Sequence, residues 1–234
     1  MRIGLITVAT GEKYRQHAAC MLASAKEFFP AAEQIIFTDQ IIGPDCNWPR
    51  EANVFEIPPA VYPEATLFRY HFFLTQKVFL SGFDYLYYAD ADMKFVAPVG
   101  DILANGLVAT LHPGYAVRNT QGTPERRKES TAYLPEGTNK QYFCGGFQGG
   151  KARDYLAAAE ALAFCIDLDR RRGITAIWHD ESFWVNYLYF HPPAKILTPS
   201  YCFPEEAIAQ GGYCGWTKEQ FPPILTAVDK KGQR

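Results

Sequence analysis

The sequence predicts an α/β fold built on a mainly parallel sheet. Tyr85–Ala89 is an apolar run without polar alternation, the pattern of a strand covered on both faces; Arg2–Val8 also reads as a buried strand, and Gln34–Asp39 as a further strand. Helical stretches separate these runs, and alternation of strand and helix favours parallel pairing. The chain has 234 residues, 48% hydrophobic and 15% aromatic, which is enough for one large core.

In chain order, Thr10-Gly11 ends the first strand, and a helix is expected from about Tyr14 to Phe29, stopped by Pro30. A second strand covers Gln34–Asp39 and a third Asn53–Ile57, before Pro58-Pro59. Leu67–Leu80 reads as one helix leading into Tyr85–Ala89. Leu107–His112 reads as a strand, and the polar, turn-rich segment from Gly114 to Asn139 as an ordered loop over a site. Ala152–Arg171 has strong helix formers and Gly173 closes it. A last helix begins near His179, with Asp180 or Ser182 as its cap and apolar spacing at Phe183, Trp184, Tyr187 and Leu188; a strand over Val185–Tyr189 stays open. No Ser/Gly linker appears, so one domain over residues 1–234 is expected.

The net charge of −2 and the lack of a Lys/Arg stripe argue against a polyanionic partner. "ERRKES" (Glu125–Ser130) reads as a solvated or ligand-facing loop. None of the six cysteines, at 20, 46, 144, 165, 202 and 214, has C-x-x-C spacing; they read as reduced and mostly buried. The N-terminus lacks signal-peptide character and no stretch approaches a membrane span, so a cytoplasmic protein is expected.

Four motifs carry chemistry. In "YLYYADAD", Asp90 and Asp92 follow a buried strand, where open α/β sheets bind ligands. Residues i and i+2 of an extended chain point the same way, so both carboxylates can face one hard cation such as Mg²⁺ or Mn²⁺. D-x-D is by itself a common pattern, and a solvated loop is the bland reading. "WHDES" (Trp178–Ser182) is either a helix start with acids in its first turn or a carboxylate near a reacting carbon beside an aromatic platform. His179 has no second His at i+3 or i+4, which speaks against zinc. "CGGFQGG" (Cys144–Gly150) permits close backbone approach to a ligand or forms a simple turn. His112 in "HPG" is a lone strand-end histidine, a type more often structural than catalytic.

Read together, "FDYLYYADADMKF", "ATLHPGY", "ERRKESTAYLPEG", "YFCGGFQGG", "WHDES" and "PAKILTPSYCFPE" resemble the ordered motifs of glycosyltransferase family 6, which includes the histo-blood-group A and B transferases and the α1,3-galactosyltransferases. The resemblance runs from about Val8 to Lys218. It implies a GT-A fold, a Rossmann-like mixed sheet flanked by helices, with residues 1–92 forming a nucleotide-binding half and residues 93–234 an acceptor-binding half. It implies retaining transfer of galactose or N-acetylgalactosamine from a UDP-sugar, with Asp90 and Asp92 holding Mn²⁺, or Mg²⁺ in its place. Some bacterial relatives replace this pair with asparagines and work without metal; the two carboxylates here imply metal dependence.

By the same resemblance Glu181 matches the catalytic carboxylate and also the acceptor site, and Asp180 the residue gripping donor-sugar hydroxyls. Arg69 matches an arginine near the donor sugar. Val8, Thr10 and Tyr14 match the uridine pocket, with Glu12 as an apparent insertion. Cys144, Gly145 and Gly146 match the donor-selecting segment, and Lys218 a lysine reaching the diphosphate. His112 and Trp178 match acceptor residues. Gly114 and Gly146, both small, leave room for an acetamido group and imply UDP-GalNAc; "HPG" implies a Fucα1-2Gal acceptor. The family's mammalian members carry an aspartate where this chain has Pro204-Glu205, so Glu205 stands as its acceptor-binding substitute. Lys230, Lys231 and Arg234 read either as closing over the diphosphate or as a frayed end. Against these expectations stand transfer of galactose, a sugar-binding module without catalysis, and a metal-dependent phosphohydrolase.

Overall fold

The computed structural model describes residues 1–117, 121–137 and 141–228. Lys230, Lys231 and Arg234 lie outside the described residues. Strand β1 (Ile3–Ala9) is buried throughout and pairs in parallel with β2 (Ala32–Thr38). Helix α1 (Glu12–Phe28) joins them, starting after Gly11, whose φ of 77° suits glycine. Strand β3 (Asn53–Glu56) adds a parallel edge to β2.

The expected single helix over Leu67–Leu80 is three short pieces: α2 (Glu64–Leu67), α3 (Arg69–Thr75) and α4 (Lys77–Leu80). The chain leaves helical geometry at Phe68 and at Gln76. Its buried apolar residues, Leu67, Tyr70, Phe72, Phe73 and Leu80, spread over an arc of about 220° on a helical wheel, wider than one packed face. No straight helix buries them all on one sheet face, so packing overrides propensity.

Strand β4 (Tyr85–Ala89) pairs in parallel with β1. After β5 (Met93–Phe95) and β6 (Leu107–Leu111), the glycine run forms β7 (Phe143–Lys151), a buried interior strand and not a turn. It runs antiparallel between β4 and β6. Its glycines permit that fit. A Cβ on Gly149 would lie 2.2 Å from the Leu86 carbonyl oxygen, and one on Gly150 2.2 Å from that of Gly106. Gly149→Ala is therefore expected to lower the urea midpoint, with a loss of about 1–3 kcal/mol or more.

Helix α5 (Ala152–Arg171) follows, then α6 (His179–Phe190). Neither Asp180 nor Ser182 is the N-cap; Trp178 is, and the Ser182 Oγ accepts from its backbone N–H at 3.0 Å. Strand β8 (Lys195–Leu197) pairs with β6 and completes a seven-stranded sheet of order β3-β2-β1-β4-β7-β6-β8. Beyond it lie β9 (Phe203–Pro204), α7 (Glu205–Gln210), the hairpin β10 (Gly212–Tyr213) and β11 (Trp216–Thr217), and β12 (Leu225–Ala227), which sits between β5 and β9 in a small second sheet.

Alternate residues of the central strands enter opposite cores. Ile6, Phe37, Leu86 and Tyr88 pack with residues of α3, α5 and α6. Leu5, Ile36 and Tyr87 pack with Met21 and Leu22 of α1. Both faces of the sheet are thus covered, as the apolar runs predicted. The cysteines are all unpaired, but only Cys144 is buried and Cys20 is exposed, so most are not core residues. No helix among the described residues is long and apolar enough to cross a membrane.

Candidate active site

One rim of the sheet gathers the chemical residues. Strands β1, β4 and β6 run the same way, so Thr10, Asp90 and His112 follow their carboxyl ends. Because β7 runs the other way, its beginning reaches that rim, and the Asp90 amide donates to the Gly146 carbonyl at 2.9 Å. The start of α6 brings Trp178–Glu181 alongside.

Two adjoining cavities open here. The first, about 390 Å³, is lined by Val8, Thr10, Tyr14, Arg69, Asp90 and Asp92, among others. The second, about 350 Å³, is lined by His112, Gly145, Gly146, Trp178, Asp180 and Glu181, and shares Tyr62, Thr66, Arg69 and Asp90 with the first. Cys144, Glu205 and Lys218 line neither of these two cavities. Gly114 does not line the second, and its missing Cβ would stand 3.3 Å from the His112 ring. Space at Gly146 is also occupied: its missing Cβ would meet Asp90 Oδ2 and Cys202 Sγ at 3.3 Å.

Arg69 joins the two acidic motifs. It is 3% exposed, and its guanidinium lies 3.2 Å from Asp90 Oδ1 and 3.1 Å from Asp180 Oδ2. It also donates to the carbonyls of Gly145 and Thr66 and to Thr66 Oγ1, and it stacks over the Tyr88 ring at 4.3 Å. The Tyr88 hydroxyl donates to Asp90 Oδ1 at 2.7 Å. Such a fork of donors between two carboxylates is what a planar guanidinium supplies and an ammonium does not.

Asp180 is 3% exposed, and burial pushes its carboxyl up, against the pull of Arg69 and Thr66. The Thr66 hydroxyl donates to its Oδ1 at 2.6 Å. Oδ2 accepts no hydrogen bond, since Arg69 Nε, though close, does not aim its N–H there. A buried acceptor without a donor, in a residue lining a cavity, suits a ligand hydroxyl. Glu181 accepts from the Gly145 amide at 3.0 Å, and burial raises its carboxyl to about 7, against the pull of that amide and the Tyr142 hydroxyl. The Gly114 amide donates to His112 Nδ1, and burial lowers that imidazole to about 4, leaving it neutral.

Asp90 and Asp92 line the same cavity. Among the described residues no three His, Cys, Asp or Glu cluster to hold a metal by themselves. Two carboxylates at a cavity wall fit a cation that takes its remaining ligands from a phosphate group, the usual habit of Mg²⁺. Sequence reasoning missed Thr66, Tyr62 and Thr123. Thr66 lay just outside the expected helix, which began at Leu67, and its tie to Arg69 crosses the break at Phe68.

The model for glycosyltransferase family 6 matches residues 1–211. The chain is 38% identical over 160 residues to the histo-blood group ABO system transferase 1 of Rattus norvegicus, covering 68% of this chain and 44% of that protein. It is 30% identical over 211 residues to the globoside alpha-1,3-N-acetylgalactosaminyltransferase 1 of Homo sapiens, covering 86% and 60%. It is 27% identical over 213 residues to the O-antigen biosynthesis glycosyltransferase WbnI of Escherichia coli, covering 88% and 89%. The chain thus spans less than half the length of the rat relative.

Proposed function

The chain belongs to glycosyltransferase family 6, and we propose that it moves N-acetylgalactosamine from UDP-GalNAc, with retention, in α1,3 linkage onto a galactose of a Fucα1-2Gal acceptor. The observation that carries the reading is Arg69, a buried cation held within 3.2 Å of both Asp90 and Asp180, so that the two cavities form one cleft. A donor spanning that cleft puts its nucleotide beside Val8, Thr10 and Tyr14 and its sugar against Asp180. The half from residue 1 to about 92 then serves the nucleotide, and the remainder the acceptor. We place the reaction in the cytoplasm, where nucleotide sugars are drawn on directly.

Asp90 and Asp92 would hold Mn²⁺ or Mg²⁺, which supplies positive charge against the departing diphosphate. Asp180 Oδ2, ion-paired with Arg69 but accepting no hydrogen bond, accepts a hydroxyl of the donor sugar and fixes the ring. Glu181, steadied by the Gly145 amide, sets a carboxylate beside the carbon that gains oxocarbenium character. His112 and Trp178 bind the acceptor sugar, the first as a neutral hydrogen-bonding group and the second as an apolar platform.

A catalytically silent sugar-binding module has no use for a carboxylate held near pH 7 beside a second buried acid. One observation favours UDP-galactose as the donor: the space at Gly146 is already met by Asp90 and Cys202. The test incubates each UDP-sugar with Mn²⁺ and 2′-fucosyllactose and weighs the product. A tetrasaccharide heavier by an N-acetylhexosamine supports the proposal; a hexose adduct moves the assignment to galactose. Product formation that survives complete chelation would end the metal assignment. Sugar phosphate as product would end transfer altogether.

The Glu181 carboxyl near 7 also sets a pH dependence. The anion is the working form, so kcat/KM is expected to rise through about pH 7 and to fall about tenfold per pH unit well below it. A profile flat from pH 5.5 to 8 would rule out an essential Glu181 anion.

A further inference from the structure

Glu125 is a buried acid that the mechanism above does not use. It is 2% exposed. One oxygen accepts from the Arg127 amide at 2.9 Å and from Arg127 Nε at 3.0 Å. The other accepts from Arg127 Nη2 at 2.6 Å and from the Ile177 amide at 2.8 Å. Burial alone would raise its carboxyl; the Arg127 guanidinium and the two amides outweigh that and hold it at about 2. "ERRKES" is therefore not a solvated loop at its first residue.

Arg127 turns the pair into a clamp. Its Nη2 also donates to the Thr175 carbonyl at 2.6 Å. Thr175 and Ile177 lie in the seven-residue connection, residues 172–178, between α5 and α6. That connection ends on His179, whose φ of 50° is left-handed in a residue with a Cβ. A backbone in that region costs roughly 1–3 kcal/mol and persists only when its surroundings enforce it. Asp180 and Glu181 follow immediately. The clamp is itself anchored: buried Asp169 of α5 accepts from the Ser130 hydroxyl and, at 2.8 Å, from the Thr131 amide. The chain from 125 to 131 thus braces the end of α5 against the turn that presents the two acids.

We propose that Glu125 and Arg127 are positioning residues, which place Glu181 by holding Thr175 and Ile177 and touch no substrate themselves. The inference rests on the reading of Glu181 as the working carboxylate. Glutamine at 125 keeps the shape but turns an amide toward Arg127 or Ile177, where only an acceptor fits.

The test uses the whole chain, Mn²⁺, 2′-fucosyllactose and whichever of UDP-GalNAc and UDP-galactose is turned over faster. In Glu125→Gln, backbone amides of residues 175–182 are expected to exchange hydrogen faster, kcat to fall about 10–100-fold, and UDP affinity measured by calorimetry to stay as in the parent. In a Glu181→Gln background the same change is expected to cost no further rate, because both act through one group. An equal fold-loss in both backgrounds, or parental kcat and exchange, overturns the clamp. Should Glu125→Gln fail to fold, Arg127→Met, which releases only the half-exposed partner, is judged by the same readouts. A parental rate in Glu181→Gln alone sinks the reading of Glu181, and this inference with it. A disabled Glu181→Gln beside parental Glu125→Gln and Arg127→Met overturns the clamp alone.

Discussion

Glu181→Gln is expected to lower kcat by about 10²–10⁴-fold at pH 8 while UDP binds as in the parent. The amide is isosteric and keeps an oxygen for the Gly145 N–H, so what disappears is the charge. The size of the loss should itself depend on pH. The parental carboxyl titrates near 7, so below that the parent increasingly carries a neutral side chain too. The two proteins should converge as pH falls toward 5. Stability should move the opposite way. A carboxyl whose folded pKa is raised above its unfolded value favours folding fully below the unfolded value, and that contribution is lost as pH rises through about 7. At pH 8 the parent bears a poorly solvated, half-buried charge that the variant lacks, so Glu181→Gln should melt at or above the parental temperature. Kinetics and melting at pH 5.5 and 8 check both halves. A variant with near-parental rate at pH 8 would remove Glu181 from catalysis, and one that is slow because it has lost stability would leave the loss unassigned to charge.

How far the sequence carried the reading follows from which contacts are local. The strands Ile3–Ala9 and Tyr85–Ala89, and the second half of Ala32–Thr38, were legible because burial on both faces writes itself into a short apolar run; the partly exposed start of β2 at Ala32 and Glu33 was not. Helix α5 was legible because its formers and its Gly173 stop are adjacent in the chain. Strand β7 was not, since glycine has low strand propensity and its justification lies across the sheet, in the carbonyls of Leu86 and Gly106. The breaks at Phe68 and Gln76 were hidden for a related reason: they answer to what the aromatic residues of α3 must bury. In the site, motif matching picked out Asp90, Asp92, Asp180 and Glu181, and nothing local says that Arg69 bridges the two pairs. Glu125 misled for the same reason. Its neighbours Arg126 and Arg127 look like a solvated basic run, whereas its partner at Ile177 is 52 residues away.

Arg69→Met is expected to be among the most damaging single changes in the protein, because it strips the counter-charge from two acids at once. Methionine keeps much of the stem and none of the donors. Asp180 would keep the Thr66 hydroxyl and a backbone amide but no cation, and the carbonyls of Gly145 and Thr66 would lose their guanidinium donor. Leaving a buried charge without its partner costs about 3–5 kcal/mol, a large share of the stability of an ordinary domain. Unfolding in urea at pH 7.5 should show that loss. Arg69→Lys should recover only part of it, since one ammonium cannot reach Asp90, Asp180 and both carbonyls together. If the penalty is electrostatic, adding Asp180→Asn to Arg69→Met should return stability, because the uncompensated group is then neutral. If it is lost packing over Tyr88, the second change should return nothing. An Arg69→Met protein as stable as the parent would show that the acids are already protonated or solvated. The single cleft inferred from that guanidinium would then have lost its physical basis.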